Sequence, residues 1–254
     1  MMSTIGVGVQ LYTLRNECEK DFFKTLERVA GIGYEGVELA GLYGRRPDEV
    51  KEKLDELELE VVGHHIPFER IEQDLEQVIY EQMKLGNTRI VCPWLPPEMR
   101  NKESYERVAN VLQDAVGKCA EHGMSISYHH HDFELEKEMT NSTLAMILDR
   151  DDRIQAEFDI YWLERAGHNP VDWLKAYKRR TSVVHLKDRS NDANEDTVIL
   201  GTGNIAIQKV LEQGPDSNVK WWVVEQDECQ LDPIESVSRS YRYLRKIEMK
   251  NNQS

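Results

Sequence analysis

The sequence of 254 residues contains no apolar run of the roughly 20 residues that a membrane-spanning helix needs. Its first residues, MMSTIGVGVQLYTLR, lack a basic region followed by an apolar signal core. Basic residues are also in deficit, because 46 Asp and Glu outnumber 32 Lys and Arg and leave a formal net charge of −14. These absences predict a cytoplasmic protein that neither spans a membrane nor binds nucleic acid, since nucleic-acid binding depends on clustered Lys and Arg.

Cysteine is scarce, and its four residues are widely separated: Cys18, Cys92, Cys119 and Cys229. No CxxC pair and no zinc-ribbon spacing occurs among them, so a cysteine-rich metal site is not expected. In a reducing compartment, isolated cysteines of this kind predict free thiols with a structural role. A GxGxxG fingerprint is also missing from the segment GVGVQL, which argues against a dinucleotide-binding open sheet.

The chain does have a regular alternation of short strand-like runs and longer amphipathic segments from end to end. Eight strand-helix units in about 250 residues predict an α/β fold, a single (β/α)₈ TIM barrel with residues 1–254 as one domain. An open, doubly wound parallel sheet is the alternative. The eight runs are IGVGVQLY, YEGVELA, EVVGHHI, TRIVCPW, MSISYHHH, IQAEFD, SVVHLKD and VKWWVVEQ.

Glycine and short polar residues mark the expected ends of several helices. Gly33, Gly86 and Gly123 each follow an amphipathic segment, where a left-handed residue commonly ends a helix. Asp21 and Ser104 precede such segments and are expected at or near helix N-termini.

The last four predicted strands end in ionisable side chains. These are Glu134, Asp159, His185 and Glu225. In TIM barrels the chemistry lies at the C-terminal ends of the strands, so these side chains are expected to meet at one mouth of the barrel. Three carboxylates together repel one another unless a cation is present. The pattern therefore predicts one divalent metal ion, with Mn²⁺, Mg²⁺ or Co²⁺ favoured by the oxygen-rich ligands and Zn²⁺ as an alternative.

Seven segments together resemble the xylose isomerase-like TIM barrel superfamily, in its sugar phosphate isomerase/epimerase branch. They run in order through essentially the whole chain: GVQLYTLR, GYEGVEL, YHHHDFE, FDIYW, HLKD, LGTGNI and VVEQD. The resemblance implies the same metal ligands, Glu134, Asp159, His185 and Glu225. At the fifth strand His129, His130 and His131 are rival ligands, and His131 is the preferred substitute for Glu134.

The resemblance also implies an activity in carbohydrate metabolism. The expected enzyme is a metal-dependent isomerase or epimerase that acts on a ketose or related carbonyl polyol through an enediolate. Glu134 and Glu225 would then be the catalytic residues that exchange protons on opposite faces of the substrate. The alternative is a lyase, either an inosose dehydratase or an enzyme that cleaves 3-keto-glycosides. A DNA-repair endonuclease and a non-catalytic ligand-binding barrel are less favoured, the endonuclease because of the acidic composition.

Further side chains near the predicted strand ends are candidate contacts for a small-molecule sugar or polyol. They are Gln10, Glu38, His64, His65, Trp94, His131, Trp162, Lys187 and Arg189. Glu157 shares strand parity with Asp159, and the favoured interpretation is a buried ion pair with a residue such as Lys187. Homo-oligomers are common among similar proteins, so the resemblance also implies a homo-oligomer as one form of assembly.

Overall fold

The structure is a computed structural model that describes residues 5–136 and 138–251. Its central feature is a closed barrel of eight parallel strands. The strands are β1 (Gly6–Gln10), β2 (Gly36–Leu39), β3 (Glu60–His65), β4 (Arg89–Cys92), β5 (Ser125–His129), β6 (Gln155–Asp159), β7 (Thr181–Leu186) and β8 (Trp221–Val224). Each strand pairs with its neighbours in sequence, and β8 pairs with β1 to close the barrel. The predicted α/β TIM barrel is thereby confirmed.

Helices surround the barrel and connect successive strands. They are α1 (Arg15–Lys20), α2 (Phe22–Ile32), α3 (Pro47–Glu56), α4 (Phe68–Gln73), α5 (Leu75–Leu85), α6 (Lys102–Glu121), α7 (Thr143–Leu148), α8 (Ile160–Arg165), α9 (Pro170–Ala176), α10 (Ile207–Leu211) and α11 (Pro233–Asn251). Among the described residues, no helix is both long enough and apolar enough to cross a membrane.

The helix ends follow the expectations from the sequence. Gly33 and Gly86 have positive φ angles of 111° and 68° at the C-termini of α2 and α5, and Gly123 has a φ of 69° just beyond α6. Asp21 caps α2 by accepting a hydrogen bond from the Lys24 amide. All four cysteines are free thiols, as the sequence indicated.

The strands are buried because helices cover their outer faces and side chains fill the barrel interior. The N-terminal part of that interior is apolar and contains Val62, Val183, Trp221 and Val223. Gly6 makes room for the Trp221 ring, since a Cβ atom at Gly6 would lie 2.5 Å from it. Polar side chains occupy the other end of the barrel.

The register of the parallel strands places these polar side chains at similar heights. Asp159 is paired with His185 across β6 and β7, and His129 is paired with Glu157 across β5 and β6. Because alternate residues of a strand point to the same face, Glu157 lies one level deeper in the barrel than Asp159. The fold thus builds two polar levels, one at the mouth and one below it.

The chain after β5 departs from the extended conformation that strand alternation assumes. The strand ends at His129, and Asp132–Glu134 form a 3₁₀ turn. The turn directs the Glu134 carboxylate back toward the His131 amide, 2.9 Å away. Strand parity therefore does not set the direction of the Glu134 side chain.

Candidate active site

Four buried side chains form a group at the C-terminal mouth of the barrel. His129, Asp159, His185 and Glu225 each offer one ligand atom, and these atoms lie within 4.8 Å of one another. His129 and Asp159 end their strands, His185 is the penultimate residue of β7, and Glu225 directly follows β8. We call these four residues the mouth group. Its mixture of carboxylate oxygens and imidazole nitrogens suits a divalent cation.

Lys187 brings a positive charge to the mouth group. Its Nζ atom lies 3.1 Å from Asp159 Oδ2, 3.0 Å from Glu225 Oε2 and 3.0 Å from Asp227 Oδ2. Burial opposes the charge on Lys187, but the three carboxylates raise its pKa well above the usual range. The Asp159 contact is not aligned as a hydrogen bond, so Asp159 Oδ2 is buried without a hydrogen-bond partner. That oxygen is available to a cation.

The two carboxylates of the mouth group have opposite electrostatic environments. Burial raises the pKa of Asp159 to about 6, although Lys187 opposes this change. Burial also acts against the charge on Glu225, but Lys187 and His185 hold its pKa below the usual range. Glu225 is therefore ionised at neutral pH, which is the form that accepts a proton.

Glu134 lies outside the mouth group. The Tyr128 hydroxyl donates a 2.6 Å hydrogen bond to Glu134 Oε1, and the His131 amide donates to Oε2. The carboxylate is fully buried, and this burial raises its pKa to about 7. The ligand atom that β5 contributes to the mouth group belongs instead to His129, one of the rival histidines. The metal-binding and catalytic roles of Glu134 remain predictions.

A second set of histidines and a glutamate lies one level deeper. His65, His129, Glu157 and His185 also have ligand atoms within 4.8 Å of one another, and we call them the deep group. Glu157 forms a buried ion pair, as expected, but its partner is His65 at 2.9 Å, while Lys187 contacts the mouth carboxylates. Neighbouring glutamates raise the pKa of His65 to about 9 against the effect of burial.

His185 connects the two levels. Its Nδ1 atom lies 2.7 Å from Glu225 Oε2, and its Nε2 atom lies 2.6 Å from Glu38 Oε2. Glu38 is in turn 2.9 Å from the Nε2 donor of Gln10. Two of the predicted substrate contacts, Gln10 and Glu38, are thus fully buried members of the network inside the barrel.

A cavity of about 710 Å³ opens above the mouth group. Five predicted substrate contacts line it, and these are His64, His65, Trp94, His131 and Lys187. Glu225 and Asp227 form part of the same wall. Asp227 was not among the predicted residues, although it shares strand parity with Glu225 in VVEQD. The volume is sufficient for a small polyol or a larger sugar derivative.

Two other predicted contacts do not line this cavity. Trp162 lies behind it, with its ring centroid 5.0 Å from that of His131 and 5.4 Å from Lys187 Nζ. Arg189 is directed elsewhere, toward Glu195 and Asn204 at 3.3 and 3.1 Å. The structure therefore places Trp162 in support of the wall and Arg189 away from it.

Asp188 of HLKD organises the loop that contains LGTGNI. Its carboxylate accepts hydrogen bonds from the Gly201 and Gly203 amides at 2.9 Å and from the Ile205 amide at 3.1 Å. It also accepts one from the Arg189 amide. Because these loop amides already bind a carboxylate, Asp188 has a structural role beside the site.

Comparison with protein families identifies the architecture independently. Residues 26–247 match the family model described as xylose isomerase-like TIM barrel. Among curated proteins, the chain is 24% identical over 276 residues to an inosose dehydratase of Clostridium botulinum (strain Alaska E43 / Type E3). That match covers 89% of this chain and 90% of the relative.

Two solved structures have the same fold. A sugar phosphate isomerase/epimerase from Parabacteroides distasonis ATCC 8503 superposes with a TM-score of 0.80 and 21% identity, covering 95% of this chain and 94% of the other. A probable 3-DHS dehydratase involved in petrobactin synthesis from Bacillus anthracis gives a TM-score of 0.75 and 15% identity, covering 94% and 98%. At these identities the similarity demonstrates the fold.

Proposed function

Because the chain belongs to the xylose isomerase-like TIM barrel family, we propose that it is a divalent-metal-dependent enzyme that removes a proton next to the carbonyl group of a sugar or cyclic polyol. The observation that carries this proposal is the mouth group itself. Two carboxylates and two imidazoles converge within 4.8 Å directly below a 710 Å³ cavity. This arrangement lies at the end of the barrel where TIM-barrel chemistry is located.

The residues present fit a divalent metal. Asp159, His185 and Glu225 would hold it, with His129 as the fourth ligand and Glu134 as the alternative fourth. Asp159 Oδ2 is the clearest support, because this buried oxygen accepts no hydrogen bond and is offset only by the Lys187 ammonium 3.1 Å away. Two imidazoles among four donors favour a borderline ion such as Mn²⁺, Co²⁺ or Zn²⁺ over Mg²⁺. Such an ion would polarise the substrate carbonyl group.

The side chains on the cavity wall have complementary tasks. Glu225 accepts the proton from the carbon next to the carbonyl, because its carboxylate is ionised and reaches the cavity. The Lys187 ammonium lies 3.0 Å from Glu225 and donates hydrogen bonds to substrate oxygens. His131 and Trp94 contact the rest of the substrate from the same wall.

The position of Glu134 favours elimination over epimerisation. Epimerisation by two glutamates requires a proton acceptor and a donor on opposite faces of one carbon. Of that pair, Glu225 lines the cavity, whereas the Glu134 carboxylate is bound by Tyr128 and does not. Elimination on one face needs Glu225 alone as base. The C–H proton passes to Glu225, the C–H electron pair forms the new C=C bond as the β C–O bond breaks, and the departing hydroxyl takes the proton back from Glu225 and leaves as water.

We therefore favour a dehydratase of keto-polyols of the inosose class. The curated relative named inosose dehydratase supports this substrate class, with coverage of about nine-tenths of both chains. The second candidate is the isomerase or epimerase. It is favoured by the burial of Glu134, which raises its pKa to about 7 and suits a group that gains and loses a proton near neutral pH.

The test combines proton exchange with product analysis. The metal-loaded protein is incubated in D₂O with inososes, ketoses and 3-keto-glycosides, and NMR follows deuterium incorporation next to the carbonyl. A dehydratase gives an unsaturated or diketone product from an inosose, whereas an isomerase returns a sugar of unchanged composition. We expect Glu225→Gln to reduce turnover by 100-fold or more, on the order of the effect of losing a general base.

Glu235→Gln is the control, because Glu235 lies on the surface of α11 and pairs with Arg239. It should retain full activity. Exchange that persists in both Glu225→Gln and the chelated protein would overturn the proposed chemistry. Glu134→Gln then identifies the fourth ligand: a lower metal content by mass spectrometry assigns that place to Glu134, and an unchanged content assigns it to His129.

A further inference from the structure

Three imidazole nitrogens converge on one oxygen of Glu157 in the deep group. His65 Nε2 lies 2.9 Å from Glu157 Oε1, His185 Nε2 lies 3.2 Å away, and His129 Nδ1 lies 3.4 Å away. The imidazoles come from three different strands, β3, β7 and β5. All four side chains are 10% exposed or less. The arrangement is therefore produced by closure of the barrel.

These separations match the spacing of ligands around a small divalent ion. In a tetrahedral site with bonds of about 2.0–2.1 Å, neighbouring ligand atoms are separated by about 3.3–3.4 Å. The measured distances of 2.9, 3.2 and 3.4 Å lie close to this value. The ligand atoms of all four residues lie within 4.8 Å of one another.

Some polar atoms of the deep group have no hydrogen-bond partner. His65 is the only one of the three imidazoles that forms an aligned hydrogen bond with Glu157, and His185 Nε2 is hydrogen-bonded to Glu38 instead. Glu157 Oε2 and His129 Nδ1 are both buried without a hydrogen-bond partner. Burial removes the hydration of these atoms without a hydrogen bond to replace it, which costs free energy. A cation bound among them would supply the missing interaction.

The positive side chains of the barrel are engaged elsewhere. Lys187 contacts the mouth carboxylates and Asp227. The Arg89 guanidinium donates hydrogen bonds to the Val62 carbonyl and to Ser182 Oγ. Within residues 5–136 and 138–251, no lysine or arginine forms an ion pair with Glu157. Protonated His65 balances the charge of this buried carboxylate in the ion-free chain, and a bound metal ion would take the place of that proton.

We propose that the deep group binds a divalent cation of its own, in addition to the ion at the mouth. The ligands are His65, His129, Glu157 and His185, and three nitrogens with one oxygen select a borderline ion such as Zn²⁺ or Co²⁺. With both ions bound, His185 would bridge them as an imidazolate, because its two ring nitrogens face opposite levels and both ring protons are released to solvent. His129 would then ligate the deep ion, and Glu134 would be the fourth ligand at the mouth. His65 and Glu157 belong to the deep group alone and are not ligands of the mouth ion.

Metal counting tests this second site directly. The full chain is stripped with chelator, saturated with Zn²⁺, passed through a desalting column and measured by plasma mass spectrometry. We expect two ions per chain. Glu157→Gln and His65→Gln should each retain one ion, and so should the mouth variant Asp159→Asn, while the double variant Glu157→Gln/Asp159→Asn should retain none.

His64→Gln is the matched control. His64 is the buried histidine next to His65 on β3, but its Nδ1 atom faces Gln82 at 3.1 Å. It should retain two ions, and circular dichroism should verify that every variant is folded. Saturation of the unaltered chain at one ion would overturn the proposal, and so would an unchanged count in both His65→Gln and Glu157→Gln. If Asp159→Asn loses turnover but retains one ion, the mouth site has been disrupted while the deep site is intact. The proposed reaction and the second metal site are then tested separately.

Discussion

At the scale of single residues, Gly63 lies where the barrel interior leaves no room for a side chain. A Cβ atom at this position would lie 2.8 Å from Glu38 Oε1 inside the barrel. Gly63→Ala should therefore displace the buried carboxylate and lower the free energy of unfolding by about 1–3 kcal/mol, as overpacking does. Urea denaturation followed by circular dichroism measures the change.

Gly117→Ala is the control for that substitution. Gly117 lies within α6, and a Cβ atom there would meet no other atom within 4 Å. Alanine should raise the free energy of unfolding by about 0.5–1 kcal/mol, because it has the higher helix propensity. Equal effects at the two positions would contradict the steric interpretation of Gly63.

The buried thiol of Cys119 should make the stability of the protein depend on pH in the alkaline range. Burial raises its pKa from 9.0 to about 11. Between these values the unfolded chain has lost the thiol proton while the folded chain retains it, so stability should decrease as pH rises from about 9 to 11. The thiolate fraction at pH 8 should be about 100-fold lower than in the unfolded chain. Iodoacetamide labelling, read by peptide mass spectrometry, should modify Cys119 only after denaturation.

Cys119→Ala provides the comparison for the pH effect. Its unfolding free energy should decline less steeply between pH 9 and 11 than that of the unaltered protein, since one ionising group has been removed. Parallel slopes for the two proteins would show that Cys119 does not titrate in this range upon unfolding.

At the scale of elements, the loop between β7 and α10 depends on one carboxylate. The Asp188 carboxylate accepts hydrogen bonds from the amides of Gly201, Gly203 and Ile205, and the residue is almost completely buried. Asp188→Asn should lower the free energy of unfolding by about 2–3 kcal/mol. The amide nitrogen of Asn cannot accept a hydrogen bond, and the negative charge that strengthens these hydrogen bonds is lost. Hydrogen exchange should become faster at the loop amides.

Asp192→Asn serves as the comparison within the same connection. Asp192 accepts hydrogen bonds from Ser190 and from the Asn194 amide on an exposed turn. Its substitution should change stability by about 0.5 kcal/mol or less, as is usual at the surface. Unchanged exchange at Gly201 and Gly203 in Asp188→Asn would refute the organising role of that carboxylate.

At the scale of the whole molecule, metal binding should stabilise the barrel. The mouth group unites strands β5 to β8, so an ion bound there favours the folded state over the unfolded chain. At a free-ion concentration about 100 times Kd, the gain is about 2.7 kcal/mol. For a chain of this length, that corresponds to an increase in Tm of about 5–10 °C. Differential scanning calorimetry with and without chelator measures it.

A variant without the mouth carboxylates tests the origin of this shift. Asp159→Asn combined with Glu225→Gln should lose the part of the metal-dependent increase in Tm that the mouth ion contributes. The Lys187 ammonium would then lose its partners at 3.0 and 3.1 Å, so the basal Tm should also fall. An undiminished metal response in this variant would locate the stabilising ion elsewhere.

The sequence by itself determined the barrel and the strand ends that carry the site. Short β-branched runs alternating with amphipathic segments are local patterns, and eight such units leave few alternatives to a closed barrel. The C-terminal positions of Asp159, His185 and Glu225 followed from the same periodicity. Positive φ at Gly33 and Gly86 was equally predictable, because helix ends depend on neighbouring residues.

Only the tertiary structure decided which side chains meet. The 3₁₀ turn at Asp132–Glu134 binds Glu134 to Tyr128, and no alternation rule for an extended chain describes that turn. Glu157 pairs with His65, which is 92 residues away in the chain. These contacts depend on barrel closure and strand register, which set distances between residues that share no local pattern. Local periodicity fixes the face a side chain occupies, whereas long-range packing selects its partner.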